Sequence, residues 1–281
     1  MEINTETKII GVIGNPIKHS KSPLIHNAAL EEKKLNYKYF AFEVEDIKKA
    51  IDGMKALGIV GFSVTIPHKV SAMELVDEVD VLAKKMGAIN TIHNKDGKLF
   101  GYNTDCFGAI NALKEKTSLA GKKVYLLGAG GAARAIVAGL TDEKANIKLF
   151  NKEVERAKKL AEEFKCEYGT MEQVDNACEI LINATPIGMH PNINDSIFPK
   201  EMIKKDILVF DVVYNPLETK LIKDAKEKGC ITVQGIEMFL EQAYAQFRIF
   251  TGEEPPKEVM RKVLINELTK EQSQLDEKVV K

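Results

Sequence analysis

Residues 123–140, KVYLLGAGGAARAIVAGL, run an apolar strand into a glycine turn and straight on into a helix. Gly128, Gly130 and Ala133 fit the pattern G-x-G-x-x-[G/A]. The first glycine permits the turn, the second lets backbone approach a pyrophosphate, and the small third residue lets the helix pack closely on the strand. The helix N-terminus adds N–H groups and partial positive charge. A tight left-handed turn would use such glycines too, but here the strand before and the helix after are both present. The stretch is read as a dinucleotide site, which calls for a parallel sheet flanked by helices.

The rest of the chain has the matching pattern, strand-length apolar runs alternating with segments of helical period, so the fold class is α/β. Strands are predicted at Lys8–Ile13, Tyr37–Phe42, Gly61–Thr65, Thr91–His93, Val124–Leu127, Ile147–Phe150, Ile180–Asn183, Leu208–Asp211 and Cys230–Val233. Amphipathic helices are predicted at Glu45–Leu57 and Glu153–Phe164, their Lys- and Glu-rich faces solvated. From Ile236 onward the pattern is purely helical, Ile236–Thr251 and Glu258–Leu268, before a polar tail EQSQLDEKVVK expected to fray. A length of 281 residues allows about two domains, and the pattern changes near Gly101–Leu119.

Charge and cysteine usage exclude several functions. Forty Lys and Arg against 41 Asp and Glu leave a net charge of −1, no field for nucleic acid or an anionic membrane. The apolar runs are too short to span a bilayer. The start MEINTETKIIGVIG lacks the basic head and long apolar core of a signal peptide, which points to the cytoplasm. Cys106, Cys166, Cys178 and Cys230 stand alone, without CxxC or a histidine at ligand spacing. Neither a metal nor a disulfide framework is expected, and all four are read as small, mostly buried side chains.

The strand after the glycine loop ends at Asn151, where an acidic residue ordinarily binds the ribose 2′-hydroxyl of NAD. This chain has Asn151-Lys152-Glu153 and then Arg156. An amide and two cations suit a 2′-phosphate, hence NADP. Glu153 opposes that unless it turns to solvent, and ordinary surface cations are the competing reading.

Polar residues also gather after strands in the first half. Gly14–Pro23 is an unusually polar turn in which Ser22 and Pro23 read as an N-cap and the first helical residue. Ser20 is not needed for that, and two hydroxyls beside helical N–H groups would also hold a carboxylate. Lys69 follows the strand Phe62–Thr65, and Asp105 follows another apparent strand, with Asn90 in the segment between. Active sites of open α/β sheets lie at such carboxyl strand ends. A Lys and an Asp held together can pass a proton to or from an alkoxide; as isolated residues they would be a surface cation and a helix cap.

Taken in order, SKSP, VTIPHK, GAINT, GYNTD, GAGGAARA, NATPIGM, DVVYNP and GIEMFLEQA closely resemble the shikimate dehydrogenases, over nearly the whole chain. The resemblance implies a discontinuous substrate-binding catalytic domain of residues 1–103 plus 237–281. It implies an inserted NADP-binding Rossmann domain of residues 104–236, with the chemistry in the cleft between. The reaction implied is the reversible NADPH-dependent reduction of 3-dehydroshikimate to shikimate in the chorismate pathway of aromatic amino acid biosynthesis. Lys69 matches the catalytic lysine and Asp105 its paired aspartate. Ser20 and Ser22 match carboxylate-binding hydroxyls; Thr65, Asn90, Tyr214 and Gln242 match residues that contact ring hydroxyls and carboxylate. On the cofactor side the matches are Gly128, Ala129, Gly130, Gly131, Ala132, Asn151, Lys152, Arg156, Thr185, Met189, Val212, Gly235 and Met238, with core packing the competing role for the two methionines.

Departures from the family pattern are Ser63, where bacterial members often have Asn, and Lys152-Glu153 in place of Arg-Thr or Arg-Ser. An NAD-dependent quinate/shikimate dehydrogenase is the neighbouring alternative. A non-catalytic metabolite-sensing module on the same fold is the alternative of another class, and the retention of Lys69 and Asp105 opposes it. The expected partner is a small molecule, with no nucleic acid, membrane or metal, in a chain for which a homodimer is admitted.

Overall fold

The structure is a computed structural model and describes residues 2–279, with side chains described as far as residue 273. The chain divides into two compact units, Met1–Thr104 with Gln242–Glu267, and Asp105–Glu241 with Leu268–Lys281. By compactness the stretch from Leu268 groups with the second unit.

The first unit contains β1 (Lys8–Gly14), α1 (Ser22–Glu32), β2 (Tyr37–Glu43), α2 (Ile47–Ala56), β3 (Gly61–Val64), β4 (Glu78–Val79), α3 (Val81–Met86), β5 (Thr91–Lys95) and β6 (Lys98–Tyr102). Its six-stranded sheet has the order β2-β1-β3-β5-β6-β4. β1 pairs in parallel with β2 and β3, and β5 runs antiparallel to β3 and β6. All four residues of β3 are buried, as a strand covered on both faces requires. The hairpin β5–β6 turns through Asp96 and Gly97, both at positive φ (51° and 88°), the chemistry of a two-residue turn. Pairing therefore extends to Lys95 opposite Lys98, beyond the end expected at His93. α2 begins after Asp46, whose side chain accepts from the Lys49 N–H at 3.1 Å. It buries Ile51 and Met54 in a core with Ile13, Phe62, Ile92 and Leu99.

The second unit contains α4 (Thr104–Lys114, entered from Thr104), β7 (Lys123–Leu127), α5 (Gly131–Asp142), β8 (Asn146–Phe150), α6 (Val154–Phe164), β9 (Glu167–Gly169), β10 (Ile180–Asn183), β11 (Leu208–Asp211), α7 (Lys220–Glu227) and β12 (Ile231–Val233). Its sheet has the order β12-β11-β10-β7-β8-β9 with every pairing parallel. That is the doubly wound dinucleotide fold, with its topological switch point between β7 and β10. Gly139 on α5 lets α4 come close: a Cβ there would lie 2.3 Å from Ile110 Cγ1 and 2.8 Å from Cys106 Sγ. Tyr125 and Phe150 pack edge to face at 4.9 Å in the core with Leu181, Phe198 and Val209.

Two long helices, α8 (Gly235–Thr251) and α9 (Lys257–Val279), end the chain, and each passes from one unit to the other along its length. The fold class is thus α/β with two units, as the alternation of runs implies. The short strands β4 and β9 carry too few residues for a periodic signal. α9 continues through the polar tail to Val279 rather than stopping near Leu268, in keeping with the helix propensity of its Glu, Gln, Leu and Lys; Val280 and Lys281 lie outside the described residues. The four cysteines form no disulfide with one another, Cys106 and Cys178 being buried, Cys166 and Cys230 half-buried. Among the described residues no helix is long and apolar enough to cross a membrane.

Candidate active site

In the first unit, parallel pairing puts the carboxyl ends of β1 and β3 side by side. The loops that leave them are tied together, with Asn15 N–H donating to the Ile66 carbonyl at 2.9 Å and Thr65 N–H to the Ile13 carbonyl at 3.0 Å. Gly14 allows this approach, since a Cβ there would stand 2.4 Å from Thr65 Cγ2. Register then brings in Asn90: β5 opposes β3 with Ser63 against Thr91, so the residue before β5 falls at the same edge. Asn90 carbonyl accepts from Val64 N–H at 2.7 Å, and its N–H donates to the Tyr102 carbonyl at 2.9 Å. Lys69 is half-buried, and its carbonyl accepts from Ile89 N–H at 2.9 Å. Ser20, Ser22, Thr65, Lys69 and Asn90 therefore share one edge of one sheet. A groove of about 840 Å³ lined by Lys8, Tyr37, His93 and Arg248 opens at the amino end of β1, across the sheet from these loops.

The expected capping role of Ser22 needs correction. α1 starts at Ser22 itself, with Lys21 in the cap position making no side-chain cap bond. Ser20 Oγ instead accepts from Ser22 N–H at 3.3 Å, while the buried Ser22 hydrogen-bonds the Tyr39 hydroxyl. Ser20, set aside in reading the cap from sequence, is the residue that serves the helix start.

Asn90 also fixes the exit from this unit. Thr104 N–H donates to Asn90 Oδ1 at 2.8 Å, and Asn90 Nδ2 donates to Thr104 Oγ1 at 2.9 Å. Asp105 is the next residue and stands in the first turn of α4, where a carboxylate is favoured by the helix dipole. Gln242, nearly buried, lies on α8 one turn before Gln246, whose Nε2 donates to the Asn90 carbonyl at 3.3 Å.

In the second unit the dinucleotide loop has the expected form. Gly128 adopts φ +122°, and a Cβ there would lie 2.8 Å from the Ala184 carbonyl oxygen. Gly130 and Gly131 face open space, with Ala129 and Ala132 half-buried and Ala133 fully buried under α5. After β8, Asn151 Nδ2 donates to the Glu153 carbonyl at 3.0 Å, and Lys152 and Arg156 are exposed. Glu153 pairs with Arg156 at 2.9 Å. Thr185 follows β10, with its N–H and hydroxyl both donating to Asn183 Oδ1 at 2.9 and 2.7 Å. Val212 follows β11, its N–H on the Asn183 carbonyl at 3.0 Å. Gly235 starts α8, where a Cβ would meet the Val212 carbonyl oxygen at 2.5 Å. Met189 is exposed and Met238 buried; Tyr214 is half-buried with its ring 4.9 Å from that of Phe239. Burial, with the charge of Glu271, raises the Tyr214 pKa. These loops leave the carboxyl ends of β7, β8, β10 and β11, where a parallel sheet of this order binds a dinucleotide. Among the described residues no three His, Cys, Asp or Glu side chains group as a metal site.

Three family models match in succession. The shikimate dehydrogenase substrate binding domain covers residues 12–92, shikimate / quinate 5-dehydrogenase covers 111–225, and the shikimate 5′-dehydrogenase C-terminal domain covers 235–265. A shikimate dehydrogenase (NADP(+)) of Methanocaldococcus jannaschii is 46% identical, over 95% of this chain and 100% of its own. The chain belongs to the shikimate dehydrogenase family. A solved shikimate dehydrogenase in complex with NADP⁺ superposes with TM-score 0.91 at 45% identity, covering 95% of this chain and 98% of that one. One from Listeria monocytogenes, in complex with shikimate and NAD, gives 0.88 at 34% identity over 94% and 98%.

Two polar clusters of this shikimate dehydrogenase family member escape the sequence reading. Asp211, wholly buried, accepts from Asn183 Nδ2 at 2.9 Å, Val213 N–H at 3.0 Å and Thr219 Oγ1 at 2.6 Å. Burial pushes its pKa up to about 6 against the pull of those bonds. It holds the loops that carry Thr185 and Val212. Both Asn183 and Asp211 sit inside motifs named above, but nothing local in NATPIGM or DVVYNP says that they face each other. The other cluster is Tyr39, Ser63, Gln246 and Thr91, all buried around Asn90.

Proposed function

We propose that this chain catalyses the reversible NADP-dependent reduction of 3-dehydroshikimate to shikimate, the functional division being residues 1–103 plus 237–281 for substrate and 104–236 for cofactor. The observation that carries the reading is the gathering of Ser20, Ser22, Thr65, Lys69 and Asn90 at one strand edge, in a family member whose relatives are named for this reaction. The second unit fits the cofactor. Gly130 and Gly131 leave backbone open beside the start of α5, and Lys152 and Arg156 are exposed cations after β8. Gly128–Ala132 would hold the pyrophosphate, Asn151, Lys152 and Arg156 the adenosine end, and Thr185, Met189, Val212, Gly235 and Met238 the nicotinamide end. NADP supplies the hydride acceptor for oxidation and the donor for reduction.

In the oxidation direction Lys69 and Asp105 take the proton of the reacting hydroxyl. Ser20, Ser22 and the N–H groups of α1 hold the substrate carboxylate. Thr65, Asn90, Tyr214 and Gln242 meet the ring hydroxyls; such directional partners reject an analogue that leaves them unpaired. The Glu153–Arg156 pair is exposed on both sides, 65% and 66%, and an exposed pair exchanges at little cost. Arg156 is thereby available to a 2′-phosphate, which keeps NADP ahead of NAD. A homodimer in the cytoplasm completes the proposal.

The test is the initial rate of shikimate and quinate oxidation with NADP⁺ and NAD⁺ in all four combinations. Preference for shikimate with NADP⁺ is expected. Quinate turnover or an NAD⁺ preference would reassign the chain to the quinate branch, and no turnover in any combination would leave a metabolite-sensing module.

A further inference from the structure

We infer that Gln246, oriented by Ser63, is a positioning residue that acts with Thr104 N–H to hold the polarity of the Asn90 amide; the inference rests on the shikimate reading for the contact of Asn90 with substrate. Two backbone groups in this cluster have hydrogen-bond roles that cannot reverse. Asn90 carbonyl only accepts, so Gln246 turns Nε2 toward it at 3.3 Å. Gln246 Oε1 then faces Ser63, whose hydroxyl donates to it at 2.8 Å. With its one proton committed, Ser63 accepts from the Tyr39 hydroxyl at 2.7 Å.

The same logic runs the other way. Gln246 Nε2 also donates to Thr91 Oγ1 at 3.1 Å, which turns the Thr91 proton onto Asn90 Oδ1 at 2.8 Å. Thr104 N–H, which only donates, reaches the same oxygen at 2.8 Å. Both lone pairs of Oδ1 are taken up, and Nδ2 donates to Thr104 Oγ1 at 2.9 Å. The direction of the amide is thereby set, with Oδ1 the acceptor and Nδ2 the donor within this cluster.

None of the side chains in this chain of bonds exceeds 4% exposure, so water does not re-pair them when one is removed, and each bond sets the direction of the next. Ser63 occupies the place where bacterial relatives often carry Asn. A hydroxyl that donates to Gln246 and accepts from Tyr39 is what this arrangement asks of it. The departure is thereby part of the substrate site, two bonds removed from Asn90.

Gln246→Glu tests this, because a carboxylate accepts from Ser63 but cannot donate to the Asn90 carbonyl or to Thr91, whereas the protonated acid donates once. Shikimate KM and kcat are measured with NADP⁺ between about pH 6 and 9, where a buried Glu of raised pKa titrates. NADP⁺ Kd is measured alongside for wild type, Gln246→Glu, Ser63→Ala and Ser63→Thr. In Gln246→Glu, shikimate KM is expected to rise about tenfold on the alkaline side and to return toward the wild-type value as pH falls, a limb wild type lacks. Ser63→Ala should raise KM a few-fold without that limb, and Ser63→Thr should restore it. NADP⁺ Kd should hold throughout. If Gln246→Glu fails to fold, the Ala and Thr variants of Ser63 carry the test. KM equal to wild type at every pH, or parallel loss of kcat and NADP⁺ affinity at every pH, overturns the positioning role alone. Absence of shikimate turnover in wild type overturns the functional reading instead.

Discussion

Lys69 stands on the loop after β3 with its carbonyl held by Ile89 N–H, so its backbone is fixed whatever its side chain does. Lys69→Met removes the amine and keeps the aliphatic stem. A lost proton-transfer group costs about 100- to 10,000-fold in rate; kcat for shikimate oxidation should fall by that order while shikimate Kd, by calorimetry, stays within a few-fold. Near-normal turnover would remove Lys69 from the chemistry. Asp211 makes a prediction about pH. Its carboxyl is shifted from 3.8 up to about 6 by burial, against bonds from Thr219, Val213 and Asn183, so the folded state binds the proton more tightly than the unfolded. That favours folding fully below about pH 3.8, and the contribution is lost as pH rises through about 6. Asp211→Asn keeps an acceptor for Asn183 and Val213 and turns its NH₂ to Thr219. The urea midpoint of the variant should therefore gain on wild type as pH climbs through 6; a gap independent of pH would mean that no buried carboxyl titrates there.

Among the elements, the starts of α5 and α8 use glycine for different reasons. Gly130, in the cap position of α5, has extended backbone, φ −88° and ψ −168°, and open space around it. Gly235 at the start of α8 has none, with Val212 and Val213 backbone atoms 2.5 Å from a Cβ. Gly130→Ala should leave the melting temperature of the cofactor-free protein unchanged or slightly raised, since alanine restricts the unfolded chain, while weakening NADP⁺ binding about tenfold or more where backbone must approach the pyrophosphate. Gly235→Ala should lower the melting temperature before any cofactor is added. Thermal melts with and without NADP⁺ separate the two, and equal losses without cofactor would refute the distinction. The element reading from sequence held where periodicity was strong. Ile180–Asn183 and Leu208–Asp211 coincide with β10 and β11 to the residue. It slipped where contacts at a distance decide the ends: β5 and β6 extend together because their turn lets them pair, and Ser22 lies inside α1 because its hydroxyl has a partner on β2.

On the scale of the whole molecule, one wholly buried ring contributes to acid stability, alongside the half-buried His93, whose pKa burial and Lys95 also lower. His26 on α1 is wholly buried, stacked 4.4 Å from Tyr39, and neither ring nitrogen has a hydrogen-bond partner among the described residues. Burial lowers its pKa from 6.5 to about 3. The unfolded chain then takes up a proton that the folded one refuses, so the contribution is complete above about pH 6.5 and is lost as pH falls toward 3. Wild type should lose urea resistance from about pH 6 downward, ahead of the exposed carboxylates such as Asp46, Asp77 and Glu179, whose lowered pKa values act at lower pH. His26→Phe, which keeps the stacking, should flatten that upper part of the profile; an unaltered slope would place the acid sensitivity elsewhere.

The sequence by itself determined what depends on neighbours along the chain. The strand–glycine–helix unit at Gly128–Ala133, the alternation that makes the fold α/β, and the motif order that carries the family are each written within a few residues. Only the tertiary structure decided which polar groups face one another. Gln246 reaches the Asn90 carbonyl across 156 residues of sequence, and Asn183 meets Asp211 across 28. Such partners are chosen by strand register and helix packing. Hydrogen-bond direction then passes from a backbone group of fixed role to the side chains around it, so the polarity of Asn90 is a property of the folded neighbourhood and is absent from the residue's own motif.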